Sequence, residues 1–146
     1  MPPLAPDRAY AVAERLHSVA IHLLRRLRVE DVSAGIGPAR LSALSVLVFG
    51  GPKSLNELAG IEQVRPPTMS RVVAALERQG LVGRQTAPDD GRRIILRATF
   101  KGRRVLLAAR KRRVQFLAEQ LSRLSLQEVG NLERSAAVLR AMLRDR

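Results

Sequence analysis

A chain of 146 residues, 46% of them apolar, is long enough for one globular domain with a helical annex. It has no cysteine, which excludes disulfides, thiolate metal sites and thiol redox sensing; its two histidines, His17 and His22, leave little material for any metal site. The formal charge of +13 calls for a polyanionic partner, either nucleic acid or an anionic membrane.

In chain order, Val12, Leu16, Val19, Leu23 and Leu27 recur every three or four residues, which predicts a first helix from about Asp7 to Glu30 with one apolar stripe. Two glycines and Pro38 break it between Ser33 and Pro38. Pro38 suits the first position of a second helix, which runs to about Phe49 and stops at Gly50-Gly51-Pro52. Ser54 and Glu57 have capping-box spacing, so a short third helix follows from Leu55 to about Glu62. Pro66 and Pro67 then fit the first turn of a fourth helix, where a missing N–H loses no intrahelical bond; Gly80 ends it. The period changes to strands at Leu81–Thr86 and Arg92–Thr99, joined by the turn formers Ala87-Pro88-Asp89-Asp90-Gly91. A fifth helix is expected from Lys101 to about Leu124. Ser125 and Glu128 open a sixth, with Val129, Leu132, Ala136, Leu139 and Leu143 on one stripe.

Two short helices, a tight turn and a β-hairpin make a winged helix-turn-helix, so the fold class is mainly α with a small β-hairpin. At 100° per residue, Met69, Val72, Val73 and Leu76 share the core side of the fourth helix. Pro67, Arg71, Ala74 and Arg78 lie opposite, with Thr68 and Ser70 beside them near the start. Small side chains permit close approach to a major groove, while hydroxyls and arginine read base edges or hold phosphate. The helix N-terminus is expected to add exposed N–H groups and a partial positive charge. An ordinary amphipathic helix with a solvated face is the plain alternative. At the hairpin tip, Arg92 or Arg93 suits a narrow minor groove, and Asp90 could hold that arginine in one pose; a solvent-exposed salt bridge is the alternative there. Charge placement favours nucleic acid. Residues 65 to 114 hold 14 Lys/Arg against Glu77, Asp89 and Asp90, a net +11 of the chain's +13.

The stretches "RPPTMSRVVAALERQGLV" and "DDGRR", the latter followed by "LRAT" and "KG", resemble the multiple-antibiotic-resistance regulator (MarR) family of bacterial transcription factors, and helix order extends the likeness over nearly the whole chain. The resemblance implies a homodimer with a winged helix in each protomer, binding a pseudo-palindromic DNA operator and acting as a repressor. It puts the recognition helix at Pro66 to Gln79, with Arg65 at its entry, and the wing arginine and aspartate at Arg92 and Asp90. Gln63 stands where a glycine is frequent, and Ala98 where leucine is usual. The organisation expected is a single domain over 1–146: an N-terminal dimerisation helix in 1–32, the DNA-binding region in 38–100 and C-terminal dimerisation helices in 101–146. Three apolar-striped helices exceed what the small core can cover, which also argues for an intertwined dimer; a monomeric helical subdomain is the alternative.

The family often binds phenolic or other aromatic anions between the dimer helices and the winged helix. The resemblance therefore implies a small phenolic or anionic effector; by their charge His22, Arg25 and Arg40 are the candidate contacts, with a plain structural role as the alternative. His17 and His22, five residues apart, point about 140° apart on a helix and suit an interface better than a metal. No nucleophile–base pair, phosphate loop or HExxH motif occurs, so no enzyme and no cofactor are expected. No 18-residue apolar run is present, and the start MPPLAPDRAYA lacks the order of a signal peptide, so no membrane partner and a cytoplasmic location are expected. The remaining alternative is a non-specific architectural DNA-binding protein.

Overall fold

The computed structural model describes residues 5–32, 35–87 and 94–144. The elements run α1 (Pro6–Val32), α2 (Pro38–Phe49), α3 (Leu55–Ile61), α4 (Pro66–Arg78), β1 (Val82–Thr86), β2 (Ile94–Ala98), α5 (Phe100–Leu121) and α6 (Leu126–Met142). Every predicted element is present, and where the chain is described no boundary moves by more than three residues; α2 keeps both of its ends. The largest shift is at the end of α5: Ser122 to Leu124 form a turn instead of a last helical turn. The start of β2 cannot be compared, because Arg92 and Arg93 lie outside the described residues. The chain divides into two compact units at Arg110/Lys111.

The first unit holds the core. Leu41, Ala43, Leu44 and Leu47 of α2 meet Leu58 and Ala59 of α3 and Met69, Val73 and Leu76 of α4. Leu81, Val82 and Leu96 close it from the hairpin, and Leu106 and Ala109 from the first half of α5. Val72, placed on the core side by its angle, is only partly buried at the margin. Burying these aliphatic side chains is the main stabilising contribution, at about 1.5–3 kcal/mol for each fully covered one.

The hairpin is antiparallel, with register from Val82 opposite Ala98 to Thr86 opposite Ile94. A third, one-residue strand lies against it: Lys53 N–H donates to the Leu96 carbonyl (3.1 Å), and Leu96 N–H to the Lys53 carbonyl (2.7 Å). Its place after Gly50-Gly51-Pro52 read only as a stop.

α1 contrasts with this core. Apart from Leu27, Glu30 and the buried Asp31 near its end, the residues of α1 whose burial is described are exposed. In the second unit, no residue of α6 is buried. Among the described residues, Leu27 on the first stripe and Val129 and Leu139 on the second are half-buried, and the other stripe positions stay exposed.

Candidate nucleic-acid interface

The entry to α4 is built by two caps in succession. Ser54 and Glu57 form the predicted capping box at α3: the Ser54 N–H donates to the Glu57 carboxylate (2.7 Å), and the Glu57 N–H to the Ser54 hydroxyl (3.3 Å). At the other end of α3, the Gln63 N–H reaches the Gly60 carbonyl and the Val64 N–H the Ala59 carbonyl, a Schellman closure. That closure needs a left-handed residue, and Gln63 takes φ +54°, the conformation glycine adopts without strain. The turn therefore keeps its geometry despite the unusual residue.

Arg65 is the N-cap of α4, with extended backbone and no side-chain cap hydrogen bond; Pro66 and Pro67 occupy the first two helical positions. This corrects one expectation. The prolines have no N–H to offer, and the Thr68 N–H is already donated to the Arg65 carbonyl at 3.0 Å. The start of α4 thus presents no free backbone donors in its first three positions. Its affinity for an anion rests on the macrodipole and side chains instead.

The outward face matches the angular reading. Arg65, Pro67, Thr68, Arg71 and Arg78 are exposed, and Ser70 and Ala74 half-buried. The helix ends in a second Schellman closure: the Leu81 N–H meets the Leu76 carbonyl (2.9 Å), the Gly80 N–H meets the Glu77 carbonyl (2.8 Å), and Gly80 takes φ +68°. The three wing-tip candidates, Asp90, Arg92 and Arg93, lie outside the described residues.

Several residues that fix the wing against α4 were not foreseen. Thr99 is the hinge of the arrangement. Its hydroxyl donates to the Gly80 carbonyl (2.7 Å) and accepts from the Gly102 N–H (3.0 Å), while its own N–H reaches the Leu81 carbonyl (3.0 Å). Lys101 adds a bond from Nζ to the Gln79 carbonyl (2.8 Å). On the wing itself, Arg84 of β1 grips Glu77 of α4 with two prongs, Nε to Oε1 at 2.6 Å and Nη2 to Oε2 at 3.1 Å. Hydrogen bonding first, and then the charge of Glu77, hold the Arg84 guanidinium more firmly protonated than usual. The signal for Thr99 was legible: a threonine three residues before Gly102 has N-cap spacing. Nothing local pairs Glu77 with Arg84.

Of the effector candidates, Arg40 is half-buried in the first turn of α2. It shares a shallow, mostly apolar groove of about 310 Å³ with Gly37, Pro38, Ala39, Arg71, Val72 and Ala75. His22 and Arg25 are exposed on α1 and do not line that groove. Among the described residues, no cluster of three or more His, Cys, Asp or Glu could hold a metal, and no helix is long and apolar enough to cross a membrane.

Comparison with known proteins decides the family. A profile of the MarR family matches residues 37–94, from α2 to the start of β2. A helix-turn-helix-type transcriptional regulator of Mycobacterium bovis, Mb0904, is 37% identical over 137 residues, which are 94% of this chain and 96% of the relative. The chain belongs to the MarR family. Among solved structures, a MarR-family protein from Bacillus stearothermophilus superposes with TM-score 0.83 at 24% identity, covering 98% of this chain and 100% of the other. A Staphylococcus aureus MepR mutant bound to an oligodeoxyribonucleotide superposes at 0.69 with 19% identity, covering 90% and 97%. As a MarR-family member, the chain is a DNA-binding transcription regulator with a winged helix-turn-helix, a family whose members are not enzymes.

Proposed function

We propose that this MarR-family protein is a repressor that binds a pseudo-palindromic operator as a homodimer, with α4 in the major groove and the hairpin tip in the adjacent minor groove. The observation that carries this is the outward face of α4: exposed Thr68, Arg71 and Arg78 among small side chains, on a helix anchored at both ends. Arg71 and Arg78 are seven residues apart, two turns along one face, so both can reach a groove. The MepR mutant, which shares the fold, was solved bound to an oligodeoxyribonucleotide, and that supports DNA as the partner of the fold. In this reading Arg65, Pro67, Thr68, Ser70, Arg71 and Arg78 serve the major groove, and Arg92 and Arg93, steadied by Asp90, the minor groove. Residues 1–32 and 101–146 supply dimerisation, and 38–100 DNA binding. The exposed stripe residues, Val12, Leu16, Val19 and Leu23 on α1 and Leu132 and Leu143 on and after α6, support a dimer. A small aromatic or anionic effector would meet Arg40 in its groove beside Arg71; His22 and Arg25 would join it only once a second protomer covers α1.

The test is titration of Arg71→Ala and Arg92→Ala against the operator, recovered by mapping bound genomic sites, and against a scrambled duplex. Arg71→Ala is expected to lose about 1–3 kcal/mol per half-site on the operator and to relax sequence preference. Arg92→Ala weakens both duplexes and changes the dependence on minor-groove width. Equal loss on both duplexes for Arg71→Ala makes Arg71 a phosphate clamp and moves base reading to Thr68, Ser70 or Arg65. Two variants that bind like the wild type would falsify the groove assignment.

A further inference from the structure

The Glu77–Arg84 pair bridges the last turn of α4 and the middle of β1. At 100° per residue Glu77 shares a flank of α4 with Ser70, about a quarter turn from the face of Arg71 and Arg78. The Arg84 side chain stays 51% exposed although both its prongs are used. An ion pair this open contributes little to folding stability, so a structural brace alone is a poor account of it. This inference rests on the groove assignment proposed above. With α4 in one groove and the wing in the next, the sugar-phosphate strand between the grooves passes between the two elements, over this pair. A free guanidinium there attracts phosphate on any sequence. A free carboxylate there repels phosphate on any sequence. Paired, they cancel.

We infer that Glu77 is a specificity-determining positioning residue: it holds Arg84 off the phosphate strand, so that the cleft adds no sequence-independent attraction and discrimination is left to the face of α4. The test uses full-length wild type, Glu77→Gln and Arg84→Gln, each titrated with operator and with scrambled duplex at several salt concentrations. The first substitution keeps an acceptor for Arg84 and nearly the same shape but removes the charge. Glu77→Gln is expected to bind scrambled DNA roughly three- to tenfold tighter, with the slope of log affinity against log salt steeper by about one. Its preference for operator falls accordingly. Arg84→Gln leaves the carboxylate facing phosphate and weakens both duplexes. Opposite signs for the two variants are the signature; a brace gives losses of one sign. Should Glu77→Gln fail to fold, Glu77→Ala carries the test, because it too removes the carboxylate and leaves the Arg84 charge uncancelled, and its scrambled-DNA affinity should rise. Wild type that discriminates, with no gain on scrambled DNA for either variant, or with Glu77→Gln and Arg84→Gln shifting together, overturns the inference alone. Wild type that does not discriminate overturns the groove assignment, and this inference with it.

Discussion

Two residues show how differently a backbone position can be occupied. Gln63 sits in the left-handed region at φ +54° to close α3, where the same closure after α4 uses Gly80 at φ +68°. A side chain in that region costs about 1–2 kcal/mol relative to glycine. Gln63→Gly is therefore expected to stabilise the fold by up to about 1 kcal/mol, part of the gain being offset by the freer unfolded chain. A urea midpoint at or below wild type would count against strain at Gln63. Gly102 is the reverse case. A Cβ there would lie 2.1 Å from the Leu81 carbonyl oxygen, 3.0 Å from its carbon and 3.1 Å from Leu44 Cδ1. Two of these atoms are backbone and cannot swing aside, so Gly102→Ala should destabilise by about 1–3 kcal/mol or more. Unchanged thermal unfolding of that variant contradicts the close approach of α5 to Leu81. The glycine at 63 was missing from a position where one is frequent, so that site was legible in the sequence. The crowding at Gly102 was not, because it comes from a carbonyl 21 residues earlier.

At the scale of elements, the legible features are those whose chemistry is local. Both capping boxes formed as spaced, and the double proline starts α4, because each cap satisfies groups within three residues of itself. The pairing of Lys53 with Leu96 and the grip of Glu77 on Arg84 depend on how elements pack, so no spacing rule finds them. The absence of donors at the start of α4 could have been read, since proline has no N–H; the general rule about helix termini obscured it. One box also carries a pH dependence. Glu128 accepts from the Ser125 hydroxyl (2.7 Å) and the Ser125 N–H (2.8 Å), and these two bonds, the hydroxyl first, lower its pKa from 4.5. A carboxylate with a depressed folded pKa adds stability that is complete above its unfolded value and is lost as pH falls through the folded one. The start of α6 should thus keep its protection against amide exchange at pH 6 and lose part of it below about pH 4, whereas in Glu128→Gln that protection should not change with pH. Equal acid sensitivity in both proteins would assign the loss to another group.

For the whole molecule, the decisive fact is how much apolar surface the chain leaves open. Val19 is 62% exposed on α1 and Leu143 72% exposed just after α6, and among the described residues most positions of both stripes stay open. Exposed large apolar side chains recurring along one helix face are what an interface would cover. The homodimer proposed above would supply the cover, and its two-fold symmetry would match the two half-sites of the proposed operator. The winged-helix core does not depend on that cover: Leu44, Leu58, Val73 and Leu76 are completely buried within one protomer. These facts set up a prediction with two independent readouts. Wild type is expected at twice 16.1 kDa by light scattering at micromolar concentration. Val19→Glu puts a charge on the α1 stripe without touching that core, so it should shift the particle toward 16.1 kDa while circular dichroism keeps a helical signal and a cooperative melt. Operator affinity should fall far more than affinity for a single half-site, because only the dimer gains from engaging both halves with one binding event. A wild type that stays monomeric overturns the dimer. A Val19→Glu variant that stays dimeric and binds operator normally leaves the dimer standing and removes the α1 stripe from its interface.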